Sequence, residues 1–129
     1  MLNEAMKVAD AQGRKAYDAL IAREMHEYLL ETPPDSWDII LAAGVLSYLG
    51  DAQRLFALVA RSLKPGGFFA FTAEELQGND FRFDASAARF RFSANYIRAL
   101  AEAVGLKEVR FVEGPIYPNY NMWLCVFTK

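Results

Sequence analysis

Trp37-Asp-Ile-Ile-Leu-Ala-Ala-Gly-Val-Leu-Ser-Tyr48 and, after a helical stretch, Leu63-Lys-Pro-Gly-Gly-Phe-Phe-Ala-Phe-Thr-Ala-Glu-Glu75 decide how this chain folds. Residues 39–43 form an unbroken apolar run. Such a run predicts a strand buried on both faces, in the middle of a parallel sheet covered by helices. Asp51 offers a carboxylate to start a helix. Leu55, Leu58, Val59 and Leu63 then recur at helical spacing and make one apolar stripe. Lys64-Pro65-Gly66-Gly67 stops that helix, because proline cannot continue it and glycine accepts a left-handed turn. Phe68 opens a second apolar strand. A strand, a helix and a strand of these lengths predict a right-handed crossover between parallel neighbours.

The flanking segments add weaker elements. On the N-terminal side, Leu2, Ala5, Met6 and Ala9 share a helical face, and Gly13 sits where a helix ends. Residues 19–23 are a modest strand candidate and residues 26–30 a short helix, followed by a proline-stiffened loop over 32–36. Beyond the central stretch, Phe81-Arg82-Phe83 and Arg89-Phe90-Arg91-Phe92 alternate apolar and basic residues, which predicts two short extended segments with one buried face. Ser93 is a helix cap, and Ile97, Leu100, Ala101 and Val104 form a stripe that Gly105 ends. Val109 and Phe111 alternate as a half-buried strand. Gly114-Pro115 and Pro118-Asn119 mark a loop. The chain closes on an apolar strand over 122–128.

Composition narrows the function. The chain has 129 residues, 53% of them hydrophobic, enough for one domain with one core. A net charge of -2 provides no basic field for nucleic acid. The arginines over 81–98, interleaved with aromatics, could stack on bases or hold phosphate, but nucleic-acid binding ranks last because the rest of the chain is acidic. One cysteine, Cys125, forms no internal disulfide, fits a reducing cytoplasm and reads as a buried strand residue. One histidine and one cysteine build no zinc site, so no metal is expected. No membrane-length apolar run or signal peptide is visible.

The central stretch, with its Leu-Lys-Pro-Gly-Gly turn, resembles the second half of class I S-adenosylmethionine-dependent methyltransferases, including those sometimes linked to tetratricopeptide repeats. The likeness implies a partial Rossmann-like α/β sheet over 1–129, mostly parallel with one antiparallel C-terminal strand inserted between its two predecessors, and helices on both faces. It implies S-adenosylmethionine as cofactor and a methyl acceptor the sequence leaves unidentified. Met1-Leu2 and Ala5 match the helix after the family's second strand, so Met1 reads as an internal start and the chain as a truncated domain, with a tetratricopeptide-repeat region as an expected feature of a longer parent.

Residue by residue, the resemblance places Glu24 near the adenine amine and Met25 on its ring, with a helix-start carboxylate as the other reading of Glu24. Ala42 and Ala43 face the donor. Leu46, Ser47, Tyr48 and Arg89 fall on the substrate side, a packed aromatic being the other reading of Tyr48. Glu74 and Glu75 end the family's fifth strand, where a carboxylate beside a crevice is functional or an ordinary loop charge. Gly44, Ser47 and Phe92 stand where the family often carries Asp, His and His, so no catalytic base is assigned. No Gly-x-Gly occurs in the sequence, and the glycine-rich turn and ribose-binding acid of the family lie on strands this chain does not carry. Weak or no donor binding by this chain alone is therefore expected, with a non-catalytic dimeric scaffold as the alternative function. The family's strand order also leaves the 39–43 strand with an open edge, through which a homodimer is expected to form.

Overall fold

The structure is a computed structural model and describes residues 2–118 and 120–129; Met1 and Asn119, each part of a motif above, lie outside the described residues. The strands are β1 (Trp37–Ala42), β2 (Leu63–Leu76), β3 (Phe81–Asp84), β4 (Arg89–Ser93), β5 (Lys107–Tyr117) and β6 (Tyr120–Thr128). The helices are α1 (Leu2–Ala5), α2 (Met25–Glu31), α3 (Gln53–Ser62) and α4 (Ala94–Ala103), with a 3-10 turn at Leu46–Tyr48.

The crossover forms as its sequence dictates. β1 and β2 are parallel, with Ile39 beside Phe68 and Ala42 beside Phe71. The Asp51 carboxylate accepts the Gln53 N–H at 2.9 Å and so helps to start α3. The predicted stripe on α3 is buried. Gly66, at φ +81, makes the left-handed turn. β6 lies antiparallel between β2 and β5, as the resemblance implies. The two extended segments expected over 81–83 and 89–92 form β3 and β4, which pair antiparallel, and Ser93 caps α4 by accepting the Tyr96 N–H.

Two details of the mixed α/β sheet differ from expectation. Parallel pairing is confined to β1 with β2 and to a short contact of β2 with β4; the other pairings are antiparallel. The helices that build the core gather on one face. Phe69, Phe71, Cys125 and Phe127 point into this face, and Phe56 from α3 packs edge-on against Phe69 and Phe71 with ring centroids 5.4 Å away in each case. α2 packs on α3, and α4 packs on β4 and β5. On the opposite face Ile39 is 64% exposed and Leu41 72%, so β1 is not the doubly buried strand its composition suggested.

Five local expectations are corrected. The N-terminal helix is short: α1 ends at Ala5, and Ala9 bridges to Lys15 instead of continuing its face. β2 begins at Leu63, ahead of Phe68. Residues 19–23 join no strand. Gly114-Pro115 continues β5 rather than opening a loop, because Gly114 and Pro115 pair with Met122 and Asn121. A bulge between Glu108 and Arg110 breaks the alternation and leaves Val109 exposed. Cys125 is buried between strand neighbours, and burial pushes its thiol up to about 12. Among the described residues no helix is long and apolar enough to cross a membrane.

Candidate active-site cleft

Open α/β sheets bind ligands at the carboxyl ends of their strands. A cleft of about 300 Å3 lies at the end of β1, between that strand and the segment that leads into α2. Ile21, Met25, Tyr28, Ile40, Ala42 and Val45 are among its walls. The wall is mainly apolar, and the Arg23 guanidinium on its rim is held by Glu31 at 2.5 and 2.8 Å. Met25 and Ala42, predicted from residues far apart in sequence, therefore meet in one cavity.

Glu24 does not line it. One carboxylate oxygen accepts the Glu27 N–H at 2.9 Å, and the other lies 2.8 Å from His26 Nδ1. The Glu27 backbone bond, with help from His26, holds this carboxyl down to about 2. Glu24 is thus the N-cap of α2, which favours the helix-start reading. Its folded pKa lies below the unfolded value near 4.5, so its contribution to stability is complete above that value and is lost as pH falls through about 2. Circular dichroism from pH 5 to 1.5 should show α2 helicity fading in the wild type, while Glu24→Ala starts lower and lacks that fraction of the acid transition.

The remaining predicted residues scatter. Ala43 is exposed just beyond β1. Gly44, at φ +68, donates its N–H to Thr72 Oγ1 at 2.9 Å and ties the end of β1 to β2. Leu46 and Ser47 are buried in the 3-10 turn, which packs against β2 and β4. Tyr48 is 72% exposed, so it is not a packed aromatic, and it does not line the cleft beside β1.

Arg89 belongs to a second grouping at the end of β2. It pairs with Glu74 at 3.0 Å, and Arg91 pairs with Asp84 at 2.8 Å. Glu74 is only 3% exposed, and its buried Oε2 has no hydrogen-bond partner among the described residues. Glu75 faces a shallow polar depression with Gln77, Arg91 and Asn121. Burial pushes the Glu75 carboxyl up, and Glu113 beside it adds to the shift. Glu113 and Asn121 went unnoticed in the sequence because only the β5–β6 register brings them here; Asn121 donates to Glu113 at 3.0 Å. Among the described residues no His, Cys, Asp and Glu side chains gather as a metal site.

A family model described as a methyltransferase domain matches residues 2–71. The malonyl-[acyl-carrier protein] O-methyltransferase of Chlorobium phaeovibrioides is 48% identical over 40 residues, which are 31% of this chain and only 15% of that protein. A SAM-dependent methyltransferase from Methanosarcina mazei superposes with a TM-score of 0.74 at 13% identity, over 98% of this chain and 74% of that one. The Burkholderia thailandensis 1,6-didemethyltoxoflavin-N1-methyltransferase, solved with 1,6-didemethyltoxoflavin and S-adenosylhomocysteine, superposes with a TM-score of 0.60 at 19% identity, over 74% of this chain and 45% of that one. The two solved structures share the fold of a curled mixed sheet with helices.

Proposed function

We propose, from the premise that this chain belongs to the methyltransferase domain family, that the cleft beside β1 takes the adenine end of S-adenosylmethionine. The observation that carries this reading is the meeting of Met25 and Ala42 in one apolar cavity at a strand's carboxyl end. The donor supplies an electrophilic methyl on sulfonium sulfur. The chain's own residues would exclude water from the purine and hold it flat between Met25 and β1. Glu74, which keeps one buried oxygen without a hydrogen-bond partner among the described residues, and Arg89, which holds its other oxygen, lie toward the end of β2 and are the acceptor-side candidates. No base need be invoked, since positioning an acceptor against a sulfonium methyl supplies much of the rate.

The fit is limited to the purine. Among the described residues lining the cleft there is no carboxylate for the ribose hydroxyls, and the neighbouring Glu24 is engaged by its own helix. Binding by this chain alone is therefore weak, with a dissociation constant on the order of 1 mM or higher. Isothermal titration with S-adenosylhomocysteine should show no saturation at micromolar concentration; saturable micromolar binding contradicts the weakness. At millimolar ligand, NMR should show shifts at the Met25 and Ala42 methyl groups. Shifts confined to other residues refute the site.

A second reading, a non-catalytic interaction domain, is favoured by the places of Leu46, Ser47 and Tyr48, none of which faces the cleft. It predicts no methyl shifts at any ligand concentration.

A further inference from the structure

The sheet face opposite the helices is apolar at its centre. Ile39 and Leu41 of β1, Phe68 and Ala70 of β2, and Leu124 and Val126 of β6 share it, because strand neighbours in register point to the same side. Ile39, Leu41, Phe68 and Leu124 are all exposed. The registers of β2, β6 and β5 set Thr72, Thr128, Lys107 and Arg110 around this centre as a polar rim. An apolar centre inside a polar rim is the layout of a protein interface.

We propose that this face binds a second copy of the chain, face to face. Its size limits how tightly that partner binds. Four strands about 4.8 Å apart, over roughly six residues at about 3.3 Å each, make a patch roughly 20 Å on a side. That footprint, about 400 Å2 on each copy, lies below the size of a stable interface, which fits only a weak reversible dimer with a dissociation constant on the order of 10–100 μM or weaker. Its shape suits the same partner. The patch is flat and built of strands, and such a surface packs best on another twisted apolar sheet face, with side chains interdigitating across about 10 Å. Among the described residues this face is itself the surface with that character.

The open edge of β1 is a poorer contact by itself. Pairing two copies edge to edge lays their apolar faces side by side and leaves both in water. Stacking removes Ile39 and Leu41 from water in both copies, and a two-fold axis makes the contact closed and self-limiting.

Sedimentation equilibrium on the full chain, from about 1 to about 500 μM to span that affinity, tests the proposal. The mass should rise from 14.5 kDa toward twice that value and stop there. Leu41→Lys and Leu124→Lys, at sites already exposed, should keep the circular dichroism spectrum and abolish the rise. Leu30→Lys, on α2 and away from this face, should leave it unchanged. A constant monomer mass overturns the proposal. So does open-ended growth, or a dimer indifferent to both face variants.

Discussion

Phe56→Ala should nearly unfold the protein. Phe56 is fully buried and its ring meets both Phe69 and Phe71, so one residue joins α3 to the central strand. Removing a buried phenylalanine side chain costs about 3–5 kcal/mol, combining lost transfer energy with the cavity left behind. Domains of this size hold only about 5–15 kcal/mol in total. The urea midpoint, followed by circular dichroism, should fall by half or more, or the variant should be unfolded in buffer. Phe83→Ala is the contrast: Phe83 is half exposed on β3, and its loss should cost under about 1 kcal/mol. Equal losses at the two sites would mean that the α3–β2 aromatic cluster is not the centre of the core.

Gly67→Ala should hurt more than Gly66→Ala, although Gly66 has the positive φ. A Cβ on Gly67 would lie 2.9 Å from the Asp38 carbonyl oxygen and 2.9 Å from that of Lys64. Both are backbone atoms, so β1 or the turn has to move. Overpacking of this kind costs about 1–3 kcal/mol. A Cβ on Gly66 meets nothing within 4 Å, so that substitution pays only the left-handed conformation, about 1 kcal/mol. Denaturant melts rank the pair, and amide exchange localises the damage: the Ile39–Ala42 amides should exchange faster in Gly67→Ala alone. The reverse ranking would show that β1 is not seated against this turn.

What the sequence disclosed depended on whether a signal was local. The α3 stripe, the Ser93 cap and the left-handed Gly66 each depend on a few neighbouring residues, and each forms; the 81–83 and 89–92 segments form strands, although Phe83 stays exposed instead of joining one buried face. The exposure of β1 was illegible, because a continuous apolar run carries no period and cannot say which face is covered. Gly114-Pro115 misled because both residues suit turns, whereas pairing with β6 overrides that preference. Within the candidate site, Met25 and Ala42, which the resemblance assigns to the same ligand, line one cleft. Glu24 has the residue type expected of a ligand contact, but its cap bond to Glu27 is a local alternative that the helix start favours. Glu74, Glu113 and Asn121 show the opposite limit. Their grouping depends on strand register, and nothing within any one segment announces it.

The position of Cys125 gives the chain a built-in clock. Its sulfhydryl is the only one in the sequence, sits at the middle of β6 against β2, and resists ionisation while enclosed. An alkylating reagent needs thiolate, so capture waits for the central strands to part. The speed of iodoacetamide labelling in native buffer thus counts how often the sheet opens, without any introduced probe.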